Sequence, residues 1–189
     1  MAHALTGLRL LLAAPVALGL ARPESFPPSW LLGCIVVAIA TDFLDGIVAR
    51  KTDAASPRGR LFDHTTDFLF VTAGLGGAAL SGEVSAVLPP LIVVAFSQYV
   101  VDSYWLHREK QLRMSALGRW NGMLYFVPLV VIAVARLDVM PGSRDLWATL
   151  ILWMSHGLLL STVVSIIDRA IAPRGARPSL AEPPRLEEP

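Results

Sequence analysis

Six long apolar stretches dominate this chain, at residues 4–21, 29–49, 61–80, 85–106, 118–136 and 146–168. Each comes close to the roughly 20 residues that a helix needs to cross the hydrocarbon core of a bilayer. Lipid offers no water to backbone amides and carbonyls, so a spanning segment must satisfy them internally, as a helix or in a closed barrel. These runs are too long for strands and lack two-residue alternation. The expected fold is therefore an all-α integral membrane protein with six transmembrane helices. Composition agrees. Charged residues make up 16% of the chain and hydrophobic ones 54%, where soluble proteins carry about 25% charged residues.

The connections are short and carry turn residues. Arg22 to Pro28 holds three prolines, and Pro141-Gly142-Ser143 reads as a turn. Pro15 and Pro128 fall inside spans and are expected to kink them. Residues 1–171 read as one membrane domain. Residues 172–189, rich in Pro, Arg and Glu, read as a disordered cytoplasmic tail. The first stretch has some look of a signal peptide. It is read as a mature helix, because six spans give a consistent charge topology. The single cysteine, Cys34, excludes an intrachain disulfide and a Cys-based zinc site.

The net charge of +1 gives no basic excess and no reason to expect a nucleic-acid partner. The placement of the charges says more. With six spans both termini share a side. That side carries Arg9, Arg50, Lys51, Arg58, Arg60, Arg108, Lys110, Arg113, Arg119, Arg169, Arg174, Arg177 and Arg185. The other side holds only Arg22, Arg136 and Arg144. The positive-inside rule makes the first side, with both termini, cytoplasmic.

Chemistry concentrates at the junction of the second and third stretches. Asp42 and Asp45 lie at i,i+3 near the end of one helix, and Asp63 and Asp67 at i,i+4 near the start of the next. Each pair shares a helical face. A short loop makes the helices antiparallel neighbours, so four carboxylates can converge near the cytoplasmic boundary. At 1.5 Å per residue, Asp42 and Asp45 sit roughly 7–12 Å inside the helix end. Carboxylates within a membrane are costly unless paired or metallated. Divalent cations are the simplest resolution, and oxygen ligands favour Mg²⁺, Mn²⁺ or Ca²⁺. Two such ions suit displacement at phosphorus. Gly46 and Ala49 clear space for a nucleotide, Arg50 can reach a phosphate, and Gly59 permits a tight start to the third helix.

The whole stretch reads D-x-x-D-G-x-x-A-R-x8-G-x-x-x-D-x-x-x-D from Asp42 to Asp67. It resembles the defining motif of the CDP-alcohol phosphatidyltransferases at all eight specified positions. The first helix adds Leu5-Thr6-x-x-Arg9 followed by Pro15, similar to the usual opening of that family. The resemblance implies a six-helix fold with a polar cavity open to the cytoplasm, in a bacterial inner membrane, and a possible homodimer. It implies metal binding by Asp42, Asp45, Asp63 and Asp67, with Asp67 also the general base. Gly46, Ala49, Arg50 and Gly59 would line the CDP site. The reaction implied is transfer of a phosphatidyl group from CDP-diacylglycerol to a small alcohol, with CMP released and Mg²⁺ or Mn²⁺ as cofactor, two ions being expected.

The segment is similar to the phosphatidylglycerophosphate and cardiolipin synthase branch, so glycerol 3-phosphate is the expected acceptor. Arg108, Arg113 and Arg119 are candidates to bind it, and Gly118-Arg119 resembles the Gly-Lys start of this helix in phosphatidylglycerophosphate synthases. Two departures count against that acceptor. Phe68 stands where many such synthases carry Lys. Ala95-Phe96-Ser97-Gln98-Tyr99 replaces a span that carries an Arg-Glu pair. Inositol phosphate, phosphatidylglycerol or another polyol are the alternatives.

Other residues read more plainly. His64 faces away from the aspartates and reads as structural or solvated. Thr66 reads as packed or back-bonded to its helix. Asp102, with Gln98 at i−4, either borders the acceptor cavity or pairs with an arginine. Trp105, Trp120 and Trp153 read as interface anchors or packing residues, not as stacking platforms. A small cation-coupled or proton-coupled transporter is the rival of another class, but the Gly, Ala and Arg positions have no purpose there. An aspartate-rich prenyltransferase lacks the Asp-Gly-x-x-Ala-Arg continuation.

Overall fold

A computed structural model describes residues 2–51, 57–101, 116–140 and 142–171. All the regular structure among them is helical. In chain order the helices are α1 (Ala2–Ala21), α2 (Pro28–Lys51), α3 (Pro57–Leu80), α4 (Leu88–Val101), α5 (Ala116–Leu124), α6 (Phe126–Arg136) and α7 (Arg144–Ile171), with a 3-10 turn at Pro23–Ser25. The fifth and sixth segments are two halves of one rod, so the described residues form six helices. The expected tail at 172–189 lies outside the described residues.

Pro128 accounts for the break in that rod. It has no amide hydrogen, and its ring crowds the carbonyl four residues back, on Leu124. The helix is interrupted at Tyr125, whose own amide still donates to Asn121 O at 3.0 Å. Helix α1, by contrast, runs unbroken through Pro15.

Three helices are long and apolar enough to cross a membrane by length and composition, at Pro28–Asp45, Leu117–Arg136 and Arg144–Ile171. Leu5–Ala21 and Leu88–Val101 are shorter apolar helices. Helix α3 misses that class because its first turns carry Arg58, Arg60, Asp63 and Asp67. Large apolar side chains such as Leu11, Leu18, Trp30, Val36, Trp153 and Leu160 are exposed. An exposed apolar surface of this extent is made for lipid. The protein is an integral membrane protein.

The inward faces repeat at helical spacing, as in Leu31, Ile35 and Ala38 on α2 or Ala13, Val16 and Leu20 on α1. Helix α3 packs along α1, which also meets α2, so α1 lies between α2 and α3, against the expectation that those two pack directly as neighbours; α7 packs against α4, α5 and α6. Small residues set the closest approach. A Cβ on Gly77 would collide with the backbone carbonyl of Ala17, so only glycine lets α3 lie against α1 there. Helix α3 then ends in a Schellman turn. Gly82 takes φ +79°, its amide donates to Ala79 O at 3.1 Å, and that of Glu83 donates to Ala78 O at 2.9 Å. Between α5–α6 and α7, the buried Tyr125 hydroxyl meets Thr162 Oγ1 at 2.8 Å, and Thr162 in turn donates to Leu158 O.

Candidate active site

Helix α2 ends, and α3 begins, at the same end of the bundle, and their aspartates meet there. The residue between them is an arginine from a third helix. Arg9 of α1 is fully buried. Its Nη1 lies 3.2 Å from Asp42 Oδ1 and 3.2 Å from Asp63 Oδ1, and it also donates to Asp67 Oδ1. Its Nη2 lies 3.5 Å from Asp45 Oδ2. Thr6, one turn earlier on α1, donates to the same Asp45 oxygen at 3.0 Å. The four carboxylates thus surround a single guanidinium.

They are not equivalent. The Asp45 side chain is 6% exposed, against 41% for Asp42, 34% for Asp63 and 23% for Asp67. Asp42, Asp63 and Asp67 line a cavity of about 830 Å³, and Asp45 stands behind them. That volume is in the range of small-molecule sites, roughly 300–1,000 Å³. His64 lines the cavity too, and ligand atoms of Asp63, His64 and Asp67 lie within 4.8 Å of one another. This differs from the expectation that His64 faces away. Positions 64 and 67 stand at i,i+3 and so share a face, just as 63 and 67 do.

The donor set fits divalent metal ions. One guanidinium offsets one of four carboxylates, so a strong anionic excess remains in a low-dielectric setting. Carboxylates with an imidazole at the margin suit Mg²⁺ or Mn²⁺.

Residues 1–166 match the CDP-alcohol phosphatidyltransferase family. The chain belongs to that family. A protein of Mycoplasma genitalium named CDP-diacylglycerol–glycerol-3-phosphate 3-phosphatidyltransferase is 32% identical over 98 residues. The alignment covers 50% of this chain and 41% of that relative, less than half its length. No solved structure matches. Membership in a phosphatidyltransferase family, whose enzymes use divalent metal, sets aside the transporter and prenyltransferase alternatives.

Other phosphatidyltransferase motif positions are less fully visible. Gly46, Ala49 and Arg50 lie in the last turns of α2, and Gly59 in the first turn of α3. The side chains of Ala49 and Arg50 lie outside the described residues, as do Arg108, Arg113, Asp102 and Trp105. Arg119 lines the cavity from α5 and is exposed. Trp120 and Trp153 are exposed and do not line it. Thr66 donates to Phe62 O at 2.9 Å, back-bonded as expected.

The far wall of the cavity comes from α4, α5 and α7. Arg169 of α7, counted in the sequence only as a cytoplasmic charge, lines it with its guanidinium carbon 5.2 Å from the Tyr99 ring centre. Gln98 donates to Ile166 O at 3.3 Å, and Asn121 accepts from the Ser161 hydroxyl at 2.6 Å. Phe68 stacks on Phe96 with centroids 4.0 Å apart and planes 7° from parallel. The two departures from the synthase branch are therefore one feature, an aromatic pair in the cavity wall.

Proposed function

We propose that this protein transfers the phosphatidyl group of CDP-diacylglycerol to glycerol 3-phosphate and releases CMP. One observation carries the reading: the carboxylates of α2 and α3 gather around Arg9 of α1, three of them lining a cavity large enough for a nucleotide head group, in a chain of this family. Asp42, Asp45, Asp63 and Asp67 would hold two divalent ions, Mg²⁺ or Mn²⁺. When bound, these ions supply Lewis-acid neutralisation of the pyrophosphate charge.

The chain's residues do the rest. Asp67 takes the proton from the acceptor hydroxyl. The acceptor oxygen bonds to the lipid-side phosphorus, and the bond from that phosphorus to the CMP oxygen breaks. Gly46, Ala49, Arg50 and Gly59 line the CDP site. Arg119 and Arg169 supply cations for the acceptor's phosphate, with Arg108 and Arg113 as further candidates. The lipid tails stay in the bilayer, six helices span it, and the cavity opens to the cytoplasm, a reading supported by the 13-to-3 split of basic residues.

The stacked Phe68–Phe96 wall favours a second acceptor, phosphatidylglycerol, whose glycerol head needs less cationic lining. Purified protein with CDP-diacylglycerol, Mn²⁺ and each acceptor in turn separates the two. CMP release with formation of phosphatidylglycerophosphate is the expected result. Cardiolipin formation from phosphatidylglycerol would select the second reading. No CMP release with any alcohol would overturn both.

A further inference from the structure

Arg9 is placed as a point charge, not as a hydrogen-bonding fork. Its Nη1 alone faces Asp42, Asp63 and Asp67. One terminal guanidinium nitrogen has two hydrogens, too few for three carboxylates. Nε and Nη2 meanwhile have no hydrogen-bond partner among the described residues, although the side chain is fully buried. Buried N–H groups without acceptors are costly. What Arg9 gains in that position is compensation of charge.

We propose that Arg9 is a resident counter-cation that stands where a divalent ion binds, holds the quartet together in the metal-free protein and yields its position as metal loads. The inference rests on the reading that the quartet binds divalent ions. Oxygen ligands approach Mg²⁺ at about 2.0–2.1 Å. An ion shared by the oxygens that Nη1 now faces would overlap that nitrogen, so the two occupancies exclude each other. Without either cation, four anions would face one another inside the bundle. Arg9 therefore stabilises the unloaded fold and weakens metal binding.

The test uses the full chain purified in detergent, as wild type, Arg9→Met and Arg9→Lys. It compares Mn²⁺ affinity by calorimetry with the thermal midpoint in EDTA. Arg9→Met keeps the stem's bulk and removes the charge. Its midpoint in EDTA should fall by about 5 °C or more, and Mn²⁺ should bind about tenfold tighter than to wild type and restore the midpoint. Arg9→Lys keeps the charge and should stay near wild type on both measures. Weaker Mn²⁺ binding by Arg9→Met, an unchanged midpoint in EDTA, or Arg9→Lys behaving like Arg9→Met would each overturn the proposal. If Arg9→Met folds only with Mn²⁺, the proposal stands. If it stays unfolded with Mn²⁺, the fold needs the guanidinium itself and the proposal fails. Wild-type protein that takes up no Mn²⁺ would instead sink the metal reading.

Discussion

Arg9 and Arg136 both reach into the helix bundle, and both contact or lie on α1, yet they are served very differently. The carbonyls that Arg136 holds, Gly19 and Leu20, lie at least ten residues from Arg9, about 15 Å along a helix. Arg136 Nε and Nη2 donate to Glu83 at 3.1 and 2.6 Å, while Nη1 and Nη2 donate to those carbonyls at 2.7 and 2.6 Å. One cation meets one carboxylate, every guanidinium nitrogen is used, and the end of α1 is capped. Arg9 meets four carboxylates and leaves two nitrogens without hydrogen bonds. A satisfied arginine is what a structural staple looks like. An arginine amid excess acid marks a place where charge is held in readiness for something else.

The sharpest way to separate the two ends is Asp67→Asn. It removes a carboxylate and the proposed base from the acidic end. CMP release per folded molecule should fall about a thousandfold or more, with the thermal midpoint preserved. Turnover near wild type would remove Asp67 from the base role. Arg136→Met should do the reverse. It strands Glu83 and two carbonyls and should cost about 3–5 kcal/mol of stability, read as a lowered midpoint, while the Mn²⁺ affinity of the folded fraction stays unchanged. A shift in metal affinity would mean that the ends are coupled.

Gly77→Leu tests the strut between them. The side chain would meet Ala17 backbone, pushing α3 off α1 and Arg9 away from Asp63 and Asp67. Overpacking of this kind costs typically about 1–3 kcal/mol, and here both stability and turnover should drop. The smallest effect belongs to Arg144→Ala. Its 3.2 Å pair with Asp138 is exposed on both sides, so the midpoint should move by less than about 0.5 kcal/mol equivalent. A larger loss would give that turn a structural role.

Much of this arrangement was legible before any coordinates. The apolar runs become helices because lipid leaves the backbone no alternative, and i,i+3 and i,i+4 spacing puts each aspartate pair on one face. Pro128 as a break in the fifth span was legible for the same local reason. What escaped is whatever depends on which helices meet. Arg9 counts in the sequence as one basic residue among thirteen on its side. Its position opposite four aspartates follows from α1 packing on α3, which the Gly77–Ala17 contact governs. The opening Leu5-Thr6-x-x-Arg9 was the available signal, since Thr6 and Arg9 share a face and both reach Asp45. Arg169 and the Phe68–Phe96 stack likewise need α7, α4 and α3 to be brought together. His64 was legible from spacing alone, at i,i+3 from Asp67.

The positions of bound metal decide most directly. Crystals of the protein grown with Mn²⁺, with anomalous scattering recorded at the manganese edge, would locate each ion without reference to activity. The account predicts anomalous density among the carboxylates of Asp42, Asp45, Asp63 and Asp67, with the Arg9 guanidinium moved off Asp42 and Asp63. Manganese bound elsewhere in the bundle, with that quartet still closed around Arg9, would contradict it.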